Sequence, residues 1–262
     1  MLDKKIIVPF FLALGIMFVS SCKKKGCTDV RASNYSEKAS KDDGSCLFDK
    51  TPLSYTFTFK YNNQDLELNN IYSGPDSIPF KVSLFQFYIS DFIFSGNFSD
   101  TLRSVHFVDL EEPETYTISD SIISSDYSMV SFNMGLTPHY NEIDPGDVEA
   151  TNPLSIYNNM WWGWADKFIF FKIEGKFDDN NDGVFNQSFV YHVGGDSYYK
   201  QITQSTSFDI DTKSNTITIN FDHLFNGDGG VLSLPTEKET HTLNNPILAD
   251  KIAANLYSGV FY

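Results

Sequence analysis

From residue 53 onward, apolar side chains recur at every second position in short runs, and polar, turn-rich stretches separate the runs. Tyr55, Phe57 and Phe59 alternate with Thr56, Thr58 and Lys60. A turn-rich stretch follows at 62–79, then a long apolar run at 82–94. Further runs are SVHFVDL (104–110), YSMVSFNMG (127–135), STSFDI (205–210) and TITINFD (216–222). A period of two is the signature of strands with one buried face. Because no helical runs alternate with these strands, the pattern predicts an all-β fold: a single β-sandwich domain over 53–262 with a C-terminal helix.

The densest stretch lies at 161–195. Ile169, Phe171, Ile173 and Phe177 share one face of a first strand, and Phe189, Tyr191 and Val193 share one face of a second. His192 must point the opposite way, because side chains alternate across a strand. The helix is predicted at the C-terminus, with Asn245 as N-cap, Pro246 at the first position and Gly259 past the end. Ile247, Leu248, Ile252 and Leu256 are expected to form its packing stripe.

The turn between the two central strands carries Asp178, Asn180, Asp182 and Gly183 at the first, third, fifth and sixth positions of an EF-hand-type calcium loop. Val184 would add its carbonyl and Asn186 a further oxygen. Position twelve is Phe189, so the bidentate glutamate is missing, and no helices flank the loop. A polar hairpin tip with Asp-Gly serving a positive φ is the alternative, and the residues leave both open.

Residues 1–21 form a targeting segment: Lys4 and Lys5 precede an apolar run from Ile6 to Val19 that is too short for a comfortable membrane span. The run ends in Val19-Ser20-Ser21-Cys22, which resembles a bacterial lipobox with Cys22 as the lipid-modified residue. The chain has three cysteines. Cys27 and Cys46 make a natural disulfide pair, leaving Cys22 over, and export to an oxidising compartment lets such a pair persist. Residues 22–52 then form a lipid-anchored, disulfide-stapled spacer. Its GCTD…NY…DDGSC pattern resembles a short Cys-bounded repeat of bacterial surface proteins. These features predict an outer-membrane lipoprotein, facing periplasm or cell surface, whose membrane partner is reached through the anchor.

Composition narrows the function. A formal net charge of −15 makes nucleic acid a poor partner, since phosphate contacts need Lys and Arg. The chain has no nucleophile elbow, phosphate loop, HExxH or CxxC, so an enzyme is not expected. Five histidines remain as chemistry: His106, His139, His192, His223 and His241. A copper site would need two or three of them together, since imidazole suits copper.

Seven segments stand in the order expected of the MbnP-like family, which the chain resembles over residues 53–262. They are FQFYISDFIF (85–94), HFVDL (106–110), FNMGL (132–136), NPLSIYNNMWWGW (152–164), FKIEG (171–175), YHVGG (191–195) and HTLNNPILADKIAANLYSGVF (241–261). The resemblance implies an exported β-sandwich that binds copper through histidines and a tryptophan oxidised to kynurenine, with a di-haem peroxidase-like partner as oxidant. His192 stands in the matching Y-H-x-G motif and His241 in the matching H-T-x-x-N motif. Leu243 replaces the methionine often seen there, which removes a thioether ligand. No Trp-x-His pairing is present, so Trp162 and Trp164 are only candidates for the oxidised ring, with core packing favoured for both. The expected function is therefore copper binding for metal acquisition or handling, with calcium as a candidate structural ion. The alternative is a surface recognition module that stacks glycan on Trp161, Trp162 and Trp164.

Overall fold

A computed structural model describes residues 23–125, 127–163, 166–205 and 214–261. The chain divides into two compact units, one ending at Asp49 and one running from Lys50. In the first unit Cys27 and Cys46 are disulfide-bonded, with Cα atoms 4.8 Å apart. Asn34 ties the middle of the loop to its C-terminal end: its Nδ2 donates to the Ser45 carbonyl (2.5 Å) and its Oδ1 accepts the Leu47 amide (2.8 Å). Asp42 and Asp43 accept the amides of Gly44 and Ser45, the usual local bonding of aspartate in turns. Cys27 and Ala32 are the buried apolar residues described here, so covalent closure substitutes for a core. For a loop of this size the staple contributes about 3 kcal/mol. Residues 1–21 and Cys22 lie outside the described residues.

In chain order the strands of the second unit are β1 (Lys50–Tyr61), β2 (Gln64–Asp65), β3 (Tyr72–Ser73), β4 (Pro79–Gly96), β5 (Ser99–Asp109), β6 (Thr117–Ile123), β7 (Tyr127–Met134), β8 (Ile169–Phe177), β9 (Gln187–Gly194), β10 (Lys200–Ser205), β11 (Ser214–Asn220), β12 (Asn226–Gly227), β13 (Gly230–Val231), β14 (Glu239–His241) and β15 (Val260–Phe261). One sheet of five strands runs β15-β11-β1-β2, with β6 also on β1. The other, of eight strands, runs β10-β7-β4-β8-β9-β14, with β3 and β5 also on β4. β12 and β13 form a separate small hairpin.

The alternation in β1 decides how the sheets meet. Phe57 packs edge-on to Phe87 of β4 and Phe132 of β7, at 5.7 and 6.4 Å. Phe59 meets Phe85 at 5.9 Å, and Tyr55 meets Phe92 at 4.7 Å. These rings bridge the two sheets, so the core is aromatic and the architecture is the expected β-sandwich. β1 pairs in parallel with β11, which places Ile217 and Ile219 beside Phe57 and Phe59.

The C-terminal helix spans Pro246–Ser258, and the Asn245 side chain caps it by accepting the Leu248 amide. Leu248, Ile252 and Leu256 are buried as expected, but Ile247 is 80 % exposed. Ile247 sits one residue before Leu248, about 100° around the helix; Ala249 and Ala253 complete the buried face instead. β1 takes in Lys50, Thr51 and Pro52, which the sequence assigns to the spacer, because all three pair with β6. STSFDI lies almost wholly outside the described residues.

Candidate metal centre

β8 and β9 are antiparallel, with Lys172 opposite His192 and Ile173 opposite Tyr191. Phe189, Tyr191 and Val193 are buried inward, and His192 is on the other face, as alternation requires. β14 then adds in parallel to β9 with His241 beside His192. Three features explain why so short a strand holds this place. The Val190 amide donates to the Lys238 carbonyl (2.8 Å), and Thr242 Oγ1 accepts the Gly194 amide (3.0 Å). Asn244 Oδ1 accepts the His241 amide (2.7 Å). Gly194 is required on steric grounds, since a Cβ there would stand 2.1 Å from the Phe168 carbonyl oxygen. The H-T-x-x-N and Y-H-x-G motifs thus lock onto one another.

The imidazoles of His192 and His241 have centroids 4.8 Å apart and cross at 84°. Each has a carboxylate at one nitrogen: His192 Nε2 lies 2.8 Å from Glu174 Oε1, and His241 Nδ1 lies 3.3 Å from Glu239 Oε1. Burial holds the His192 pKa below the ordinary 6.5, against the pull of Glu174; repulsion from His241 and Lys172 adds to the depression. A neutral imidazole is the form that ligates metal.

The pair can be tested against a shared cation. With bonds near 2 Å, two rings in a linear arrangement would have centroids about 6.2 Å apart. The observed 4.8 Å is shorter, so the rings as they stand do not match a near-linear two-coordinate arrangement. Among the described residues, no three His, Cys, Asp or Glu side chains are grouped to hold a metal ion.

His192 and His241 belong to a polar row crossing the eight-stranded sheet. Asp109, Gln86, Lys172, His192 and His241 are successive cross-strand neighbours on β5, β4, β8, β9 and β14. The sequence reading missed Gln86 and Lys172, although a lysine inside the apolar run IFFKI was a usable signal. His106, His139 and His223 stay outside this row: His106 Nε2 bonds the Thr115 carbonyl oxygen at 2.7 Å, and His223 Nδ1 contacts Ser258 Oγ at 3.2 Å.

The other expected residues are placed as follows. Trp161 is half-buried and packs edge-on to Phe168 at 4.8 Å; Trp162 is half-buried and packs against the core. Trp164 lies outside the described residues. In the loop at 178–186, Asp178 is buried and its Oδ2 accepts the Gly183 amide (2.8 Å). Asn180 Oδ1 and Asp182 Oδ1 accept the amides of Asp182 and Val184. These side chains close the loop on its own backbone. Val184 is exposed, and the Asn186 amide donates to the Val184 carbonyl (3.0 Å).

A solved structure of MbnP from Methylosinus trichosporium aligns with a TM-score of 0.52 and 13% identity, covering 76% of this chain and 87% of that one. At that identity the likeness bears on the fold alone. No match is found among curated proteins. The MbnP family model matches residues 50–242, well over half of the sequence and inclusive of His192 and His241. The chain belongs to the MbnP family.

Proposed function

We propose that this chain is an exported copper-binding protein that holds the metal through His192 and His241. The observation that carries this reading is the pairing of each ring with a carboxylate, Glu174 on one and Glu239 on the other. Metal-ligating histidines commonly engage a carboxylate with one nitrogen, which fixes the ring and leaves the other nitrogen for the metal. The rings come from strands placed by a closed hydrogen-bond lock, so they are preorganised rather than gathered by the ion. Copper, when bound, supplies a cation that exchanges one electron. The protein positions the two rings, keeps His192 neutral by burial, and leaves His241 partly open toward solvent. Geometry rather than raw affinity must exclude zinc.

The proposal extends to metal acquisition or handling outside the cytoplasm, with lipid on Cys22 anchoring the chain and a di-haem peroxidase-like protein as partner. Trp161 and Trp162 packing against the core argues against the glycan platform. The test is metal content after dialysis against a chelator of moderate strength. The wild-type chain is expected to retain stoichiometric copper, and His192→Ala combined with His241→Ala is expected to lose it with an unchanged circular-dichroism spectrum. Full copper retention by the double variant overturns the reading.

A further inference from the structure

Lys172 stands directly across from His192, and its other cross-strand neighbour is Gln86. It is 7% exposed, and its Nζ donates to the Asn159 carbonyl oxygen at 3.2 Å. Among the described residues no carboxylate lies within 4.0 Å of Nζ. Burying a charge without a partner is costly, and folds seldom retain one that does nothing. Nor is the neighbourhood saturated. Gln86 gives its Nε2 to Asp109 Oδ2 (2.6 Å), while its buried Oε1 has no hydrogen-bond partner. The histidine pair lies next along the same cross-strand row.

We propose that Lys172 sets the charge preference of the copper site, favouring Cu(I) over Cu(II); this rests on the copper reading above. Passing from Cu(I) to Cu(II) adds one positive charge beside the Lys172 ammonium, and repulsion opposes that addition; burial lowers the pKa of Lys172 from its ordinary 10.5, against the pull of Glu174 and Asp109. Glu174 on the same strand and Asp109 beyond Gln86 pull the other way, but they remain in place when Lys172 alone is changed. At an effective dielectric of about 20, one unit charge a residue away shifts the ratio of the two affinities roughly tenfold or more. The same ammonium adds to the depression of the His192 pKa, whose main cause is burial. Lys172 also ties down Asn159 in the segment that leads to the tryptophans, so a purely structural role must be separated from an electrostatic one.

Two variants of the full-length chain make that separation, with copper alone as the probe. Lys172→Gln keeps a donor for the Asn159 carbonyl and removes the charge; Lys172→Arg keeps the charge. The midpoint potential of the bound copper is measured by spectroelectrochemistry. Lys172→Gln is expected to lower it by about 59 mV or more, the equivalent of a tenfold change for one electron, and Lys172→Arg to stay near wild type. An unshifted potential in Lys172→Gln overturns this inference alone, as does an equal shift in both variants or loss of copper from Lys172→Gln. Absence of copper from the wild-type chain overturns the parent reading and this one with it.

Discussion

Asn255 offers the sharpest test of how the C-terminal helix is held. It is fully buried, and its side chain makes three hydrogen bonds to backbone: Oδ1 accepts the Gly229 amide (2.8 Å), and Nδ2 donates to the carbonyls of Leu224 (2.9 Å) and Gly230 (3.0 Å). The β12–β13 hairpin lies so close to the helix that a Cβ on Gly229 would stand 2.5 Å from the Lys251 carbonyl oxygen. Asn255→Ala therefore strands one amide and two carbonyls where water has little access. The Leu224 bond is buried and the other two are partly buried, so the loss is about 2–4 kcal/mol at 1–3 kcal/mol for a fully buried orphan and less for the others. In thermal unfolding this is roughly 5–15 °C for a domain of this size. Asn255→Leu refills the volume and is expected to lose nearly as much, which separates lost hydrogen bonds from a cavity. A loss below about 1 kcal/mol in urea titration for either variant would refute the reasoning.

Other expectations concern the loop, the anchor and pH. Calcium is expected to raise the melting temperature of wild type and not of Asp182→Ala, since a ligand that binds only the native state stabilises it by mass action; identical wild-type melting with calcium and with chelator would return 178–186 to a plain hairpin tip. Mass spectrometry of the mature N-terminal peptide is expected to find diacylated Cys22, and cleavage elsewhere would sink the anchor. Burial lowers the pKa of His106, with the Thr115 carbonyl pulling it back, and burial lowers that of His192. Both folded-state values lie under the unfolded value of about 6.5, so their stability is complete above that pH and lost as pH falls toward the folded values. Melting temperature should fall on acidification from pH 7, and His106→Gln should make the fall shallower; an unchanged slope in that variant counts against the assignment.

The parts of the fold visible in the sequence are those fixed by local chemistry. Tyr55, Phe57 and Phe59 announce β1 because one face is buried, and Asn245-Pro246 announces the helix through its cap. The individual histidine motifs were legible too. Their adjacency was not, because β14 joins β9 in parallel across nearly fifty residues, and no local pattern encodes that register. The same holds for β1 and β11, whose pairing spans over 150 residues. Ile247 misled because helical spacing alone cannot say which of two neighbouring stripes faces the sheet. Lys172 went unread because a charged residue within an apolar run looks like a break in a strand, rather than a buried member of a row across five strands.

β14 has a consequence for how this protein meets others. It is three residues long and, among the described residues, ends the strand order of the larger sheet. A long, bare edge there would invite a foreign strand to extend the sheet, and short charged edges discourage this. Here the edge offers Glu239 and His241 and then turns away through Thr242, whose φ is 58°. Backbone pairing has almost no ledge on which to start. A partner that exchanges anything with the histidine pair must therefore approach it through side chains, with the β14 edge offering little for a foreign strand to extend.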